Sequence, residues 1–189
     1  MNLKAVTRLY TREIRPRAQA ELAWFGQQPT LESAIQYAAL AINSKGRRYS
    51  HQRRLKKAAL EKAQQALLMN SEAIAQAKSF DDLFSLVGTI LGPIGGIGEL
   101  YVYDTSLRIG ARLHLLPKKV YLHRGTRLGA RALGFDGRAK ALEVSEMPLE
   151  LRQLEPHEIE DLLCIFKADL KAVGVKYAKD EVTKHSWCG

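Results

Sequence analysis

The stretch from Ser79 to Leu113 constrains this chain most. An apolar segment, Leu83-Phe84-Ser85-Leu86-Val87-Gly88-Thr89-Ile90-Leu91, runs into a glycine-rich turn, Gly92-Pro93-Ile94-Gly95-Gly96-Ile97-Gly98. A second helical pattern then runs from Glu99 to about Leu113. Ser79 is placed to cap the first helix, with Asp81 and Asp82 in the turn where acids favour the positive end of the helix dipole. The glycines permit positive φ and close backbone approach, so the turn reads either as a hairpin that offers the next helix's N–H groups to a phosphate or as a tight turn that lets the two helices pack closely.

Helical patterns continue on both sides. Residues 3–25 read as a helix broken or kinked at Pro16, and Thr30, with Ser33 after it, reads as the cap of a helix over 31–42. A further helix is predicted from Ser50 to Met69, with Leu55, Ala59, Ala63 and Ala66 as its apolar stripe, and a short one from Ser71 to Lys78. Val120-Tyr121-Leu122 reads as a strand, Arg127 to Leu133 as a short helix, and 156–172 as a last strong helix. The expected fold is all-α or α-dominated, a helical bundle with its core over residues 79–135. Two regions are expected, 1–78 and 79–189, or one continuous domain.

Charge divides the chain unevenly. Residues 1–78 carry 14 Lys and Arg against 5 Asp and Glu, a balance of +9, and residues 79–189 carry 15 against 15. Such an excess suits a polyanionic partner, because each phosphate neutralised by Lys or Arg releases counterions. Its densest part is Lys45-Gly46-Arg47-Arg48-Tyr49-Ser50-His51-Gln52-Arg53-Arg54-Leu55-Lys56-Lys57, with seven basic residues and no acid. Arg47, Arg48, Arg53, Arg54, Lys56 and Lys57 are the candidate phosphate contacts, and Tyr49 can stack on a base. A second basic block spans Arg108 to Lys140. Arg124 and Arg127 stand there before a short helix whose first N–H groups suit an anion, and the acids between Glu143 and Asp161 are its alternative internal partners.

No run approaches the roughly 20 apolar residues of a membrane helix, and charge interrupts the N-terminus before a secretory signal could form. The two cysteines, Cys164 and Cys188, make neither a disulfide framework nor a CxxC pair. Cys164 reads as a core residue, and the expected setting is the reducing cytoplasm. His157 with Glu160 and Asp161 has the helical spacing of a metal or acid–base group, but acids at a helix start are explained by its dipole. No metal or other cofactor is expected. His185 carries no reading beyond exposure.

The helix, Gly-Ile-Gly turn and helix resemble the helix-hairpin-helix motif of DNA-binding and repair proteins. That resemblance implies a phosphate held by the backbone around Gly96 and Gly98, without base information. Tyr103-Asp104-Thr105-Ser106-Leu107-Arg108-Ile109, followed by Arg112-Leu113, resembles the Val-Asp-Thr-His-Val-x-Arg-Val and Arg-Leu segment of the helix-hairpin-helix DNA glycosylases. It implies a catalytic role for Asp104 in expelling or replacing a damaged base. This chain departs from those enzymes in having only five residues between Gly98 and Asp104, no evident lyase lysine and no cysteine cluster. The wider stretch is similar to a bacterial family of unassigned function. The expected function is sequence-tolerant binding of nucleic acid, DNA ahead of RNA. The alternatives are a glycosylase-like enzyme using Asp104, or an adaptor for an acidic protein.

Overall fold

The computed structural model describes residues 2–172. Cys188 and His185 lie outside the described residues. The protein is mostly helical, 64% helix and 4% strand, in agreement with the α-dominated expectation. The described residues divide into two compact units, one from residues 2–16 with 118–172 and the other from residues 17–117. The expected division near residues 70–80 therefore falls inside the second unit.

The helical N-terminus departs from plain α-geometry where Pro16 requires it. Helix α1 (Leu3–Leu9) is capped by Asn2, whose side chain accepts from the Ala5 N–H. It passes into a π-helical turn, Tyr10–Ile14, and then into α2 (Arg15–Gly26). Proline has no N–H, and its ring crowds the carbonyl four residues back. The widened turn just before Pro16 absorbs that crowding, so the helix bulges there and does not break.

The second unit holds most of α2 with α3 (Leu31–Ala39), α4 (Lys57–Met69), α5 (Ser71–Ala75), α6 (Phe80–Leu91) and α7 (Glu99–Leu113). Thr30 and Ser33 form a reciprocal capping box on α3, and the Ser79 side chain caps α6 by accepting from the Asp82 N–H. Helix α7 packs against both α3 and α6. Phe25, Ile35, Leu60, Leu67, Ile74, Leu83, Val87, Leu91 and Ile109 are buried in the shared core. The Tyr101 hydroxyl is pinned to the Ala39 carbonyl, and burial pushes its pKa up to about 12.

Two expected helices are shorter than the sequence pattern. Helix α3 stops at Ala39 because Ala41 turns to a φ of 55°, which reverses the chain into a bridge between Ile42 and Arg48. Helix α4 begins at Lys57, not Ser50, and its buried stripe is Leu60, Ala63 and Leu67. Residues 50–52 form a separate 3-10 turn.

The first unit joins α1 to α8 (Arg124–Ala132), α9 (Pro156–Ile165) and a two-stranded ladder. Strand β1 (Val120–Tyr121) runs antiparallel to β2 (Ala141–Leu142), with Val120 opposite Leu142. Leu3, Val6 and Tyr10 enter the same core as Val120, Ala130, Met147, Leu151, Ile159 and Leu162. Helices α8 and α9 touch closely at Gly129. A methyl group there would stand 2.2 Å from the Leu163 carbonyl oxygen, so no other residue allows this approach. Helix α9 stops at Ile165 with Phe166 as its C-cap, and residues 167–172 are helical again, so the helix expected over 156–172 is interrupted at one residue.

His157, on α9, is half-buried, and burial lowers its pKa below the ordinary 6.5 despite Glu158 and Glu155 nearby. A histidine with a depressed folded pKa takes up a proton on unfolding. Its contribution to stability is full above about 6.5 and is lost as pH falls through the folded value. Urea unfolding of His157→Gln, compared with wild type, should lose that part of the pH dependence just below pH 6.5. An identical slope in both proteins would show that His157 does not carry it.

Candidate functional site

The basic segment 45–57 is a pinned loop in the second unit. After Ala41 the chain makes a tight turn in which the Asn43 N–H donates to the Arg47 carbonyl at 2.9 Å. The Asn43 side chain accepts from the Lys45 and Arg47 N–H groups at 3.0 Å each. Glu21, on α2, accepts from the Ser44 N–H, the Ser44 hydroxyl and the Tyr49 hydroxyl. Burial alone would raise the Glu21 carboxyl. The Ser44 and Tyr49 hydrogen bonds and the Arg108 charge outweigh it, so its pKa lies below the ordinary value.

Beneath the loop lies a polar cluster rooted on α7. Asp104 Oδ2 accepts from Gln52 Nε2 at 2.8 Å and from Arg108 Nη2 at 3.5 Å, and it pairs with His51 Nε2 at 2.8 Å. Arg108 Nη1 also donates to Gln52 Oε1 at 3.1 Å. The Arg108 guanidinium is buried, with its central carbon 4.0 Å from the centroid of the Tyr49 ring. This arrangement explains why residues 50–56 do not continue α4. Gln52, buried to 2% exposure, satisfies its amide only by facing Asp104 and Arg108. A helix through these residues would have to satisfy that amide elsewhere.

The loop keeps its other cations outside. Lys45, Arg47, Arg53, Arg54, Lys56 and Lys57 are exposed. Arg48 differs from the rest. It is half-buried and donates to the Leu55 carbonyl at 3.2 Å, closing the loop on itself. Lys57 approaches Glu61 at 3.6 Å, an exposed pair of little strength. His51 stands half-exposed among them, and its side chain keeps 46% of its surface.

The glycine turn is also in the second unit. Gly96 has a φ of 89°, which favours glycine. At Gly95 and Gly98 an added methyl group would meet nothing within 4 Å. Packing therefore does not demand glycine at either position. Gly98 is the N-cap of α7 and supplies no side-chain cap to the first turn.

Arg124 and Arg127 belong to the first unit, on α8. Arg124 is exposed and Arg127 half-buried. The start of α8 is occupied by its own N-cap. His123 is buried, its Nδ1 accepts from the Gly125 N–H at 3.3 Å, and its Nε2 meets the buried Glu160 carboxylate, which also accepts from the Thr126 hydroxyl at 3.0 Å. A ring nitrogen that accepts from the backbone fixes the proton on Nε2, facing Glu160. His123 thus stands where the sequence pattern places an anion. Sequence reasoning missed this cluster, although a histidine just before a helical pattern was a signal for a cap. Among the described residues no group of His, Cys, Asp and Glu is arranged to hold a metal ion. No family model, curated protein or solved structure matches the chain.

Proposed function

We propose that this protein binds nucleic acid through the phosphodiester backbone, using the loop 45–57 with little regard to base sequence. One observation carries the reading. The loop is fastened from inside by Asp104, Gln52 and Arg108, while Arg47, Arg53, Arg54, Lys56 and Lys57 are left in solvent. Holding these cations, with Lys45 beside them, on an ordered loop concentrates like charge that a phosphate chain relieves. Ordering the loop in advance also lowers the entropy lost on binding.

The uncapped start of α7 supports a further phosphate contact of helix-hairpin-helix type. The N–H groups of a first helical turn suit an anion, Gly98 supplies no side-chain cap there, and open space before Gly95 and Gly98 lets a backbone approach. DNA is placed ahead of RNA on the helix-hairpin-helix resemblance alone.

The test is anisotropy of labelled single- and double-stranded DNA and RNA across a salt series. Replacing Arg47, Arg53 and Arg54 together by Ala should weaken every ligand alike. It should also flatten the salt dependence by about one unit of slope for each phosphate that the variant no longer neutralises. Unchanged affinity in that variant would overturn the reading and favour the adaptor for an acidic protein. Gly98→Ala should cost stability no more than about 1 kcal/mol, as a change at an N-cap, yet lower strand affinity. If affinity is unmoved, α7 takes no part.

An enzymatic second reading rests on the Asp104–His51 pair, a half-buried carboxylate against a half-exposed imidazole on the same loop. There Asp104 serves a glycosylase-like reaction. Asp104→Asn should then abolish base release from damaged duplexes and keep binding. A wild-type protein that releases no base from such duplexes rules this reading out.

A further inference from the structure

The first unit carries a second row of cations that the loop reading does not use. Lys4, Arg8 and Arg12 follow one another at intervals of four residues on the N-terminal helix. Within α1 that spacing puts Lys4 and Arg8 on one face, about 6 Å apart along the axis, which costs a few tenths of a kcal/mol unless an anion lies between them, and the π-helical turn that follows keeps Arg12 beside the same grooves. Lys4 and Arg8 are exposed, and no ion pair holds either among the described residues. Among the described residues Arg12 pairs with Glu13, its exposed neighbour, a pair that phosphate can replace at little cost. Arg15, further along the same face, is committed to the buried Glu158 at 2.8 Å and fixes the end of the row.

The surface around this row is concave on both sides. One groove of about 690 Å³ lies between the row and the segment carrying Leu149, Glu150 and Gln153. Another of about 480 Å³ lies on the Asn2 and Leu9 side, and Lys4, Arg8 and Arg12 line both. The cations therefore form a ridge open from two directions. Leu149, across the first groove, is 76% exposed and offers apolar surface beside the charge. Among the described residues Glu150 is the one acid that lines either groove.

We propose that Lys4, Arg8 and Arg12 form a second phosphodiester-binding surface, carried by the first unit and independent of the loop 45–57. The repeat of charge along the helix suits the succession of phosphates along an extended single strand better than one compact phosphate group. Two such surfaces on one chain raise avidity for strands long enough to engage both, with each surface unchanged.

Labelled oligothymidylate is titrated into the full chain across a salt series. Lys4→Ala with Arg8→Ala changes two exposed side chains to the best helix former, so folding is preserved. With two phosphates no longer neutralised, affinity should fall about 20-fold near 0.1 M salt and the salt slope should drop by about 1.4. Lys4→Arg with Arg8→Lys should restore both. Unchanged affinity and slope in the alanine variant overturn the proposal, whatever the loop variant does. If the alanine variant weakens binding and the loop variant does not, the ridge stands and the loop reading fails. If the wild type binds no strand at low salt, both fall. Saturable binding of ATP that the alanine variant loses, with strand affinity unmoved, also overturns the proposal in favour of a small phosphorylated ligand.

Discussion

Gly129→Ala should destabilise the first unit by about 3 kcal/mol, at the upper end of what overpacking costs. The added methyl would lie 2.2 Å from the Leu163 carbonyl oxygen and 2.8 Å from the carbonyl carbon. Both atoms belong to the backbone of α9, so no side chain can swing away. Relief requires α8 and α9 to separate. That movement would strain the hydrogen bonds of His123 and Thr126 to Glu160, which span the same two helices. Urea unfolding followed by far-ultraviolet circular dichroism measures the loss. A change of less than about 0.5 kcal/mol, the range of ordinary surface substitutions, would mean that α8 and α9 are not so closely apposed.

Asp104→Ala should be as costly, about 3 kcal/mol in the second unit, by the logic of breaking a buried ion pair. The variant takes from the Arg108 guanidinium, 8% exposed, the carboxylate of its ion pair and leaves it Gln52, the Tyr49 and Phe25 rings and the more distant charge of Glu21. It also releases His51 and one hydrogen bond of Gln52, so the loop loses its inner attachment. Strand affinity should fall although every exposed cation of the loop is still present. Replacing Arg108 by Leu in the same background should recover part of the stability, because the uncompensated charge goes with it. Strict additivity of the two changes would show that Asp104 and Arg108 are not coupled.

The elements that sequence pattern reveals are those whose reasons are local. Ser79 and Thr30 bond to residues three positions on, and α6 and α7 repeat their apolar residues within a few turns. Residues 50–56 have a composition that allows helix, and the sequence alone extends α4 through them. What overrides that preference is Asp104, 52 residues from Gln52 in the chain. The i,i+4 pairing of Asp104 with Arg108 was legible, and its partners across the loop were not. The π-turn before Pro16 was legible as an interruption without its form. The repeat of Lys4, Arg8 and Arg12 was also open to reading, but the grooves beside it depend on residues 149–154, which no local pattern joins to the N-terminus.

The placement of residues 2–16 in a core otherwise made from 118–172 has a consequence for synthesis. On the ribosome, Leu3, Val6 and Tyr10 emerge well over a hundred residues before Leu151 and Ile159. The second unit, contiguous from 17 to 117, has all its own core residues in hand first. The leading segment, apolar on one side and cationic on the other, must wait unpartnered through that interval. Its charge then acts before the native structure exists, keeping a helix with three exposed apolar residues from meeting its copies on neighbouring nascent chains.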